Sequence, residues 1–498
     1  MTPRSLLRPL LPVLLVGALV AGCDALDPTK VENPRTTDED LAQAENPVPA
    51  LLNGIEAQFA RALGASVVTT EFASDNFSIH GTGLGGNALD FPRSLKPRTS
   101  ILNCSFSDCL YWSTQELRAQ TDFLLEEIAP TADPTAAELA RAHYYRGMAF
   151  LLQGENFVAV PTTPDSAAVP AAGLLARAQS ELSQALGMAG SGSDLAVRAN
   201  AALARTHRAL GNVSEAKTAA QAALDIGGDS FLIDQPYDAN SVDNPPHDYL
   251  VQRALQEMQP LPRLDFLDPK YATETSAIPV ATAEEMRLIL AEGALANNNP
   301  GRAKTQLRTA IDLAASRERV TFDDGDPRLN NQSNTRPDTS AISIRFRPGA
   351  PPVDSLVLNR PGTVTVPVVS GTHVTKGQVT RASGTDLVEL LYLLRQEILF
   401  LEGHRMHDLG IRLPMMLREI ETNPQISMGD TGTQVRVPDW IPSSNEMDLY
   451  KPSVIYEGDG RDGNPLKTSE ITLLHNMNRV LANQRGLVIE NPMVPGAQ

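Results

Sequence analysis

Small and apolar residues recur every three or four positions through much of the chain from Thr135 onward, and three stretches share one layout. They are AELARAHYYRGMAFLLQGENF, LAVRANAALARTHRALGNVSEAKTAAQAALDIG and AEEMRLILAEGALANNNPGRAKTQLRTAIDLA. This is the period of amphipathic helices. The last two stretches each read as helix, short Gly/Asn turn, helix, and they align without a gap. Ala204 falls on Ala291, Ala216 on Ala303, Ala223 on Ala310, Leu224 on Ile311 and Asp225 on Asp312. Small residues stand where two helices must approach closely.

That layout resembles a tetratricopeptide unit. The units are not tandem, so a regular solenoid of adjacent repeats is not expected. Two long excursions, Gly227 to Thr282 and Val320 to Thr385, interrupt them; they are rich in Pro, Asp, Asn and Gly. Strand-like runs within the second are SIRFRP, DSLVLN and TVTVPVV. Loops of this length usually serve function. The expected fold is therefore mainly α, a set of helical hairpins with long irregular loops and a few short strands. Two earlier helices are predicted, one from near Leu41 through LLNGIEAQFARAL. In the other, YWSTQELRAQTDFLLEEIA, the residues Trp112, Leu117, Thr121 and Leu124 are read as its core-facing side.

One later stretch is denser in charge. In LLRQEILFLEGHRMHDLGIRLP, from Leu393 to Pro414, two glutamates, an aspartate, two histidines and three arginines break a run that is otherwise apolar. Leu387, Leu390, Leu391, Leu394, Ile398 and Leu401 form a helical stripe that their apolar neighbours widen, so a buried helix is predicted. Buried charges need partners. Glu402 with Arg405, and Arg405 with Asp408, have the i, i+3 spacing for it, and Gly403 allows a bend. The rival reading is a metal site on His404 and His407 with Glu402 or Asp408 as third ligand. The pair is spaced i, i+3, unlike H-E-x-x-H, and structural ion pairing is the reading adopted.

Charge and the N-terminus narrow the function classes. The formal net charge of -17 argues against nucleic acid as a partner. Arg4 and Arg8, an apolar run from Leu10 to Ala21, then Gly22 and Cys23 read as a secretory signal over residues 1–22. Val20-Ala21-Gly22-Cys23 resembles the bacterial lipobox, which implies that Cys23 is acylated and anchors the chain to a membrane. Residues 23–40, rich in Pro and Asp, suit a tether, and residues 41–498 a single domain. No later stretch has the length of a membrane span. Cys104 and Cys109, in NCSFSDC, are read as a short-loop disulfide formed in an oxidising compartment.

Other motifs fail on context. GTGLGG at Gly81 to Gly86 matches a dinucleotide fingerprint in letters only, since two prolines and no helical period follow. The Asp-rich EGDGRDGN and DDGDPRLNN lack the calcium-loop spacing and read as turns. No nucleophile–base pair or cofactor site is evident, so a non-enzymatic role is expected.

The segment RQEILFLEGHRMHDLGI, with Glu397, Glu402, Gly403, His404, Arg405 and Asp408, resembles the signature of SusD/RagB-like outer-membrane lipoproteins. NPVPALLNGIEAQF, TTEFASDN, ARAHYYRGMAFLL and the lipobox resemble that family too, over most of the chain from Cys23 to about Arg412. The resemblance implies an α-α superhelix of four tetratricopeptide-like pairs whose loops form the ligand surface, with the motif residues pinning a scaffold helix. It implies a lipid-anchored outer-membrane protein that captures an oligosaccharide or other nutrient. It further implies a SusC-like TonB-dependent transporter as partner. Met406 stands where the family has an aromatic residue, and only Trp112 and Trp440 are indoles. Trp440, Tyr450 and Tyr456 are candidate stacking platforms for a sugar; the other reading is that they pack their own loops. A protein-binding scaffold of the envelope is the alternative function.

Overall fold

The structure, a computed structural model, describes residues 47–79, 91–99, 101–102, 109–251, 258–323, 342–358, 363–442, 450–451 and 470–485. The signal and tether with Cys23, the GTGLGG loop, Cys104, Tyr456 and nearly all of both Asp-rich turns lie outside these residues. The fold is mainly α.

Helix α1, Val48–Phe72, begins directly after Pro47 and carries Pro49 in its first turn. There a missing N–H costs nothing, because that donor has no intrahelical partner. From Gln58 to Phe72 only Arg61 is not buried, so α1 is a central element. Helix α2, Leu110–Asp122, starts at Cys109, whose sulfur accepts from the Trp112 backbone N–H at 3.5 Å. Cys109 is disulfide-bonded.

The buried face of α2 differs from the expected one. It runs through Tyr111, Thr114, Leu117 and Thr121 and continues to Leu124 in a π-helical turn, Phe123–Ile128. Trp112 is 52% exposed. The five residues from Trp112 to Leu117 rotate the helix by about 500°, which turns Trp112 some 140° away from Leu117. Tyr111, one position earlier, takes the core place.

Three hairpins follow, and each stacks on the next. The first pairs α3, Ala136–Asn156, with α4, Ala171–Met188. Thr135 and Glu138 start α3 with reciprocal side-chain-to-backbone hydrogen bonds. Gly147 and Gly154 set its distance from α4. A Cβ at either would come within 2.7 Å of Leu182 Cγ or 2.8 Å of Leu175 Cγ, closer than packed carbon atoms tolerate. The second hairpin is α5, Asp194–Leu210, with α6, Val213–Gly227; the third is α7, Ala283–Ala296, with α8, Pro300–Ser316. The aligned alanines, Ala204 with Ala291, Ala216 with Ala303 and Ala223 with Ala310, are all fully buried. Asp225 and Asp312 stay exposed.

The strands are short. β1, Phe77–Ile79, pairs with β5, Met258–Pro260, and β2, Ala159–Val160, pairs with β3, Val169–Pro170. β4, Leu232–Gln235, pairs with β6, Ile278–Thr282, so the first excursion folds back on itself. β7, Arg319–Asp323, pairs with β9, Thr363–Pro367, the expected TVTVP run. SIRFRP supplies β8, Ser343–Arg345, whereas the described part of DSLVLN forms bends. Helix α9, Lys376–Arg381, leads into α10, Gly384–Ile398, the predicted buried helix. After it come α11, Arg405–Asp408, α12, Leu417–Thr422, and α13, Met477–Arg485, which packs on α10.

The excursions depart from expectation. The first is no free-standing loop: Arg263, Asp265, Asp268, Lys270 and Tyr271 within it are buried. Its polar groups reach the charged stretch after α10.

Candidate functional site

Helix α10 is capped at Leu399, and the backbone then turns sharply. Leu401 and Gly403 have φ of 60° and 78°, in the left-handed region. The turn sits against α1: a Cβ on Gly403 would lie 3.6 Å from Thr70 Oγ1 and 3.7 Å from the Val67 backbone. Space permits a side chain there, but the backbone conformation favours glycine. At Leu401 that strain is borne by a fully buried side chain, and the Tyr271 hydroxyl donates to its carbonyl at 2.7 Å.

This turn takes residue 402 off the helix that carries 405 and 408, and among the described residues neither expected i, i+3 ion pair forms. Each charge instead pairs with a different element. Glu402 accepts from Lys270 Nζ at 2.5 Å, and the same ammonium donates to the Phe400 carbonyl at 2.9 Å. Arg405 grips Asp75 through Nε and through Nη2 at 2.6 Å, and donates to Asn478 at 2.9 Å. Asp408 faces Arg395 Nε at 2.8 Å and Arg208 at 2.7 Å. Arg208 also donates to Glu292 at 2.6 Å, and the Tyr392 hydroxyl donates to Glu292 at 3.2 Å. Glu397 accepts from Thr372 at 2.5 Å and contacts the His373 ring. The set ties α1's end, α5, α7, α10, α11, α13 and the first excursion together.

Electrostatics follow from burial and partners. Burial opposes ionisation of Asp408, yet Arg395 and Arg208 hold its carboxyl well below the usual range. Asp75 is likewise held low against burial, by Arg405 and then Arg263. Burial pushes Glu402 up to about 7, with Lys270 pulling the other way, and pushes Glu71 up to about 7. His404 and His407 lie well below the ordinary imidazole value, through burial first and then nearby guanidiniums: Arg205 and Arg395 for His404, Arg208 and Arg412 for His407. A divalent cation is poorly served beside them. Among the described residues no group of three or more His, Cys, Asp or Glu is placed to hold a metal ion.

These shifts fix a pH signature. Glu71 and Glu402 bind protons more tightly folded than unfolded, so their contribution is complete below pH 4.5 and is lost as pH rises through 7. The histidines work oppositely: the unfolded chain gains protons below 6.5, and stability is lost as pH falls through that value. The two pulls offset one another below about 6.5, and above it the carboxylate loss is opposed only by the last of the histidine protonation in the unfolded chain. Urea unfolding is expected to show stability dropping by about 1 kcal/mol between pH 6.5 and 8. Glu402→Gln should remove most of that drop. An unchanged drop in the variant would remove Glu402 from the account.

A second constellation lies elsewhere. A cleft of about 780 Å³ opens between residues 93–98 and 417–437. In the first wall, exposed Arg93, Lys96 and Arg98 alternate with buried Leu95 and Pro97. The apolar residues anchor the segment and leave the cations at the rim. The second wall is a folded-back segment stitched by reciprocal backbone bonds between Arg412 and Arg436 and by the Met415 N–H to the Gly432 carbonyl at 2.8 Å. It contributes Leu417, Glu421, Met428, Val435 and Val437. Arg93 joins the walls, donating to the carbonyls of Pro438, Ile441 and Pro442 at 3.0, 2.8 and 3.1 Å. Among the described residues, Lys96, Arg98 and Glu421 have no ion-pair partner.

The candidate aromatic platforms fall differently. Trp440 sits in the turn that Arg93 clamps, half-buried and packed on the core. Tyr450 lies on strand β10, Tyr450–Lys451, paired with β11, Glu470–Leu473. Tyr456 is outside the described residues. The cleft itself has no sequence motif; its nearest sequence signal is the alternation of cations with Leu and Pro from Arg93 to Arg98.

The chain is similar to solved SusD superfamily structures. One from Bacteroides vulgatus has 12% identity and a TM-score of 0.47, over 74% of this chain and 88% of that one. A SusD-like carbohydrate binding protein from the same organism has 14% identity and a TM-score of 0.45, over 73% and 82%. A SusD homologue from Bacteroides thetaiotaomicron has 15% identity and a TM-score of 0.46, over 78% and 98%. No family model and no curated protein matches the sequence.

Proposed function

We propose that this protein is a lipid-anchored binding protein of the outer membrane, held by acylated Cys23. It captures an oligomeric nutrient and passes it to a TonB-dependent transporter, performing no chemistry on the cargo. The observation that carries this reading is how the charged side chains divide. Those from Arg395 to Asp408 are buried and committed to bracing helices. Those of Lys96 and Arg98 stand exposed at a cleft whose volume falls within the range of small-ligand sites. The lipobox at Val20 to Cys23 and the resemblance of the 395–411 segment to the SusD/RagB signature add the membrane and the partner.

The test is co-purification. Tagged full-length protein, extracted from its native envelope in mild detergent, should bring down a TonB-dependent barrel in about 1:1 ratio. Recovery of soluble envelope proteins with no barrel would replace the transport reading with that of a protein-binding scaffold.

A further inference from the structure

The cleft between residues 93–98 and 417–437 has a composition that selects among cargoes. Three of its side chains are cationic, Arg93, Lys96 and Arg98, against one carboxylate, Glu421. The chain as a whole carries a formal charge of -17, so this is a local reversal of sign, and a recess between low-dielectric walls focuses such a field. Arg93 cannot swing away, because its guanidinium is held by three backbone carbonyls. Its charge is therefore fixed at the junction of the walls. Among the described residues no side chain pairs with Lys96 or Arg98, which leaves their donors for a ligand.

The apolar part of the lining is aliphatic: Leu95, Pro97, Leu417, Met428, Val435 and Val437. Among the described residues none lining the cleft is aromatic. A neutral sugar ring would find no flat face to stack on. Leu95 and Pro97 are buried beneath the cations, so branched aliphatic side chains would meet the half-buried Leu417, Val435 and Val437 of the second wall, and Met428, 60% exposed, is an adaptable apolar contact at the edge.

We propose that this cleft binds a short peptide bearing both acidic and aliphatic side chains, its carboxylates on Lys96 and Arg98 and its apolar side chains against Leu417, Val435 and Val437. The inference rests on the reading of the chain as a capture protein and narrows the class of cargo.

The test is calorimetric titration of the full-length protein in detergent with four probes. These are a capped heptapeptide of alternating Glu and Val, the same peptide with Gln for Glu, heptagalacturonate and maltoheptaose. The Glu/Val peptide should bind, the Gln/Val peptide roughly tenfold more weakly, and added salt should weaken the first more than the second. The double variant Lys96→Gln/Arg98→Gln, both sites exposed, should melt with the wild type yet bind the Glu/Val peptide no better than the Gln/Val one. Tighter binding of heptagalacturonate than of the peptide overturns the peptide assignment in favour of an anionic sugar. Binding of maltoheptaose that ignores the double variant overturns the charge argument. If no probe binds while the barrel still co-purifies, the cleft assignment fails and the transport reading stands.

Discussion

Asp408→Asn is expected to remove about 3–5 kcal/mol of unfolding free energy, the cost of orphaning a buried charge. The substitution keeps the side chain's shape, deletes its charge and turns one of its two acceptor oxygens into an NH2 donor that faces a guanidinium. Arg208 would still face Glu292 at 2.6 Å. Arg395 would not be so placed: it is fully buried, and Asp408 is its ion-pair partner among the described residues. A guanidinium cannot shed its proton to escape burial. The double replacement Arg395→Met/Asp408→Leu should therefore regain most of what the single change loses, because an apolar pair of similar volume removes both desolvation penalties. Urea unfolding of the two variants checks this. A double variant no more stable than the single one would mean that the pair holds the helix by something other than charge compensation.

Arg405→Met should cost somewhat less, about 3 kcal/mol, even though Arg405 makes more bonds. Its removal leaves Asp75 facing Arg263 at 3.2 Å, so the stranded carboxylate retains one cation. The control is Lys376→Met. Lys376 meets Asp312 at 2.7 Å, the same separation as Arg208 from Asp408, but both side chains are more than half exposed. That pair should be worth less than about 1 kcal/mol. Equal losses from Arg405→Met and Lys376→Met in thermal melts would show that the motif does not brace the fold.

The hairpins were legible in the sequence because their information is local. Alanine at helical spacing, with a Gly or Asn turn at the midpoint, says where α5 to α8 begin and end, and the alignment of Ala204 with Ala291 follows from equal packing demands. The charged stretch was legible as buried and paired, but its partners were not. Spacing predicts neighbours only while the helix continues, and here the backbone leaves the helix at Leu399 and turns at Leu401 and Gly403. The true partners, Asp75, Arg208 and Lys270, lie on elements that no local pattern connects to it. Trp112 illustrates a smaller error of phase, in which a neighbouring Tyr with the same apolar character takes the inward position. The cleft left no motif because its walls are irregular segments brought together by Arg93 and by backbone bonds, and neither leaves a periodic trace.

The reach of the braces bears on the order in which the molecule assembles. Hairpins such as α5 with α6 close over a few residues, so their own pairing needs no distant part of the chain. The bond from Arg405 to Asp75 spans 330 positions, and that from Lys270 to Glu402 spans 132. Contacts of such separation form late, after the entropy of closing the intervening chain has been met. For a polypeptide threaded through a membrane N-terminus first, as the proposed export requires, α1 emerges with Asp75 still lacking its counter-charge. Arg263 reaches it from mid-chain, but Arg405 arrives only with the last quarter of the chain. The 395–408 segment thus acts as a latch: until it arrives the hairpins form a row of helices with open charged sockets, and its docking completes the assembly.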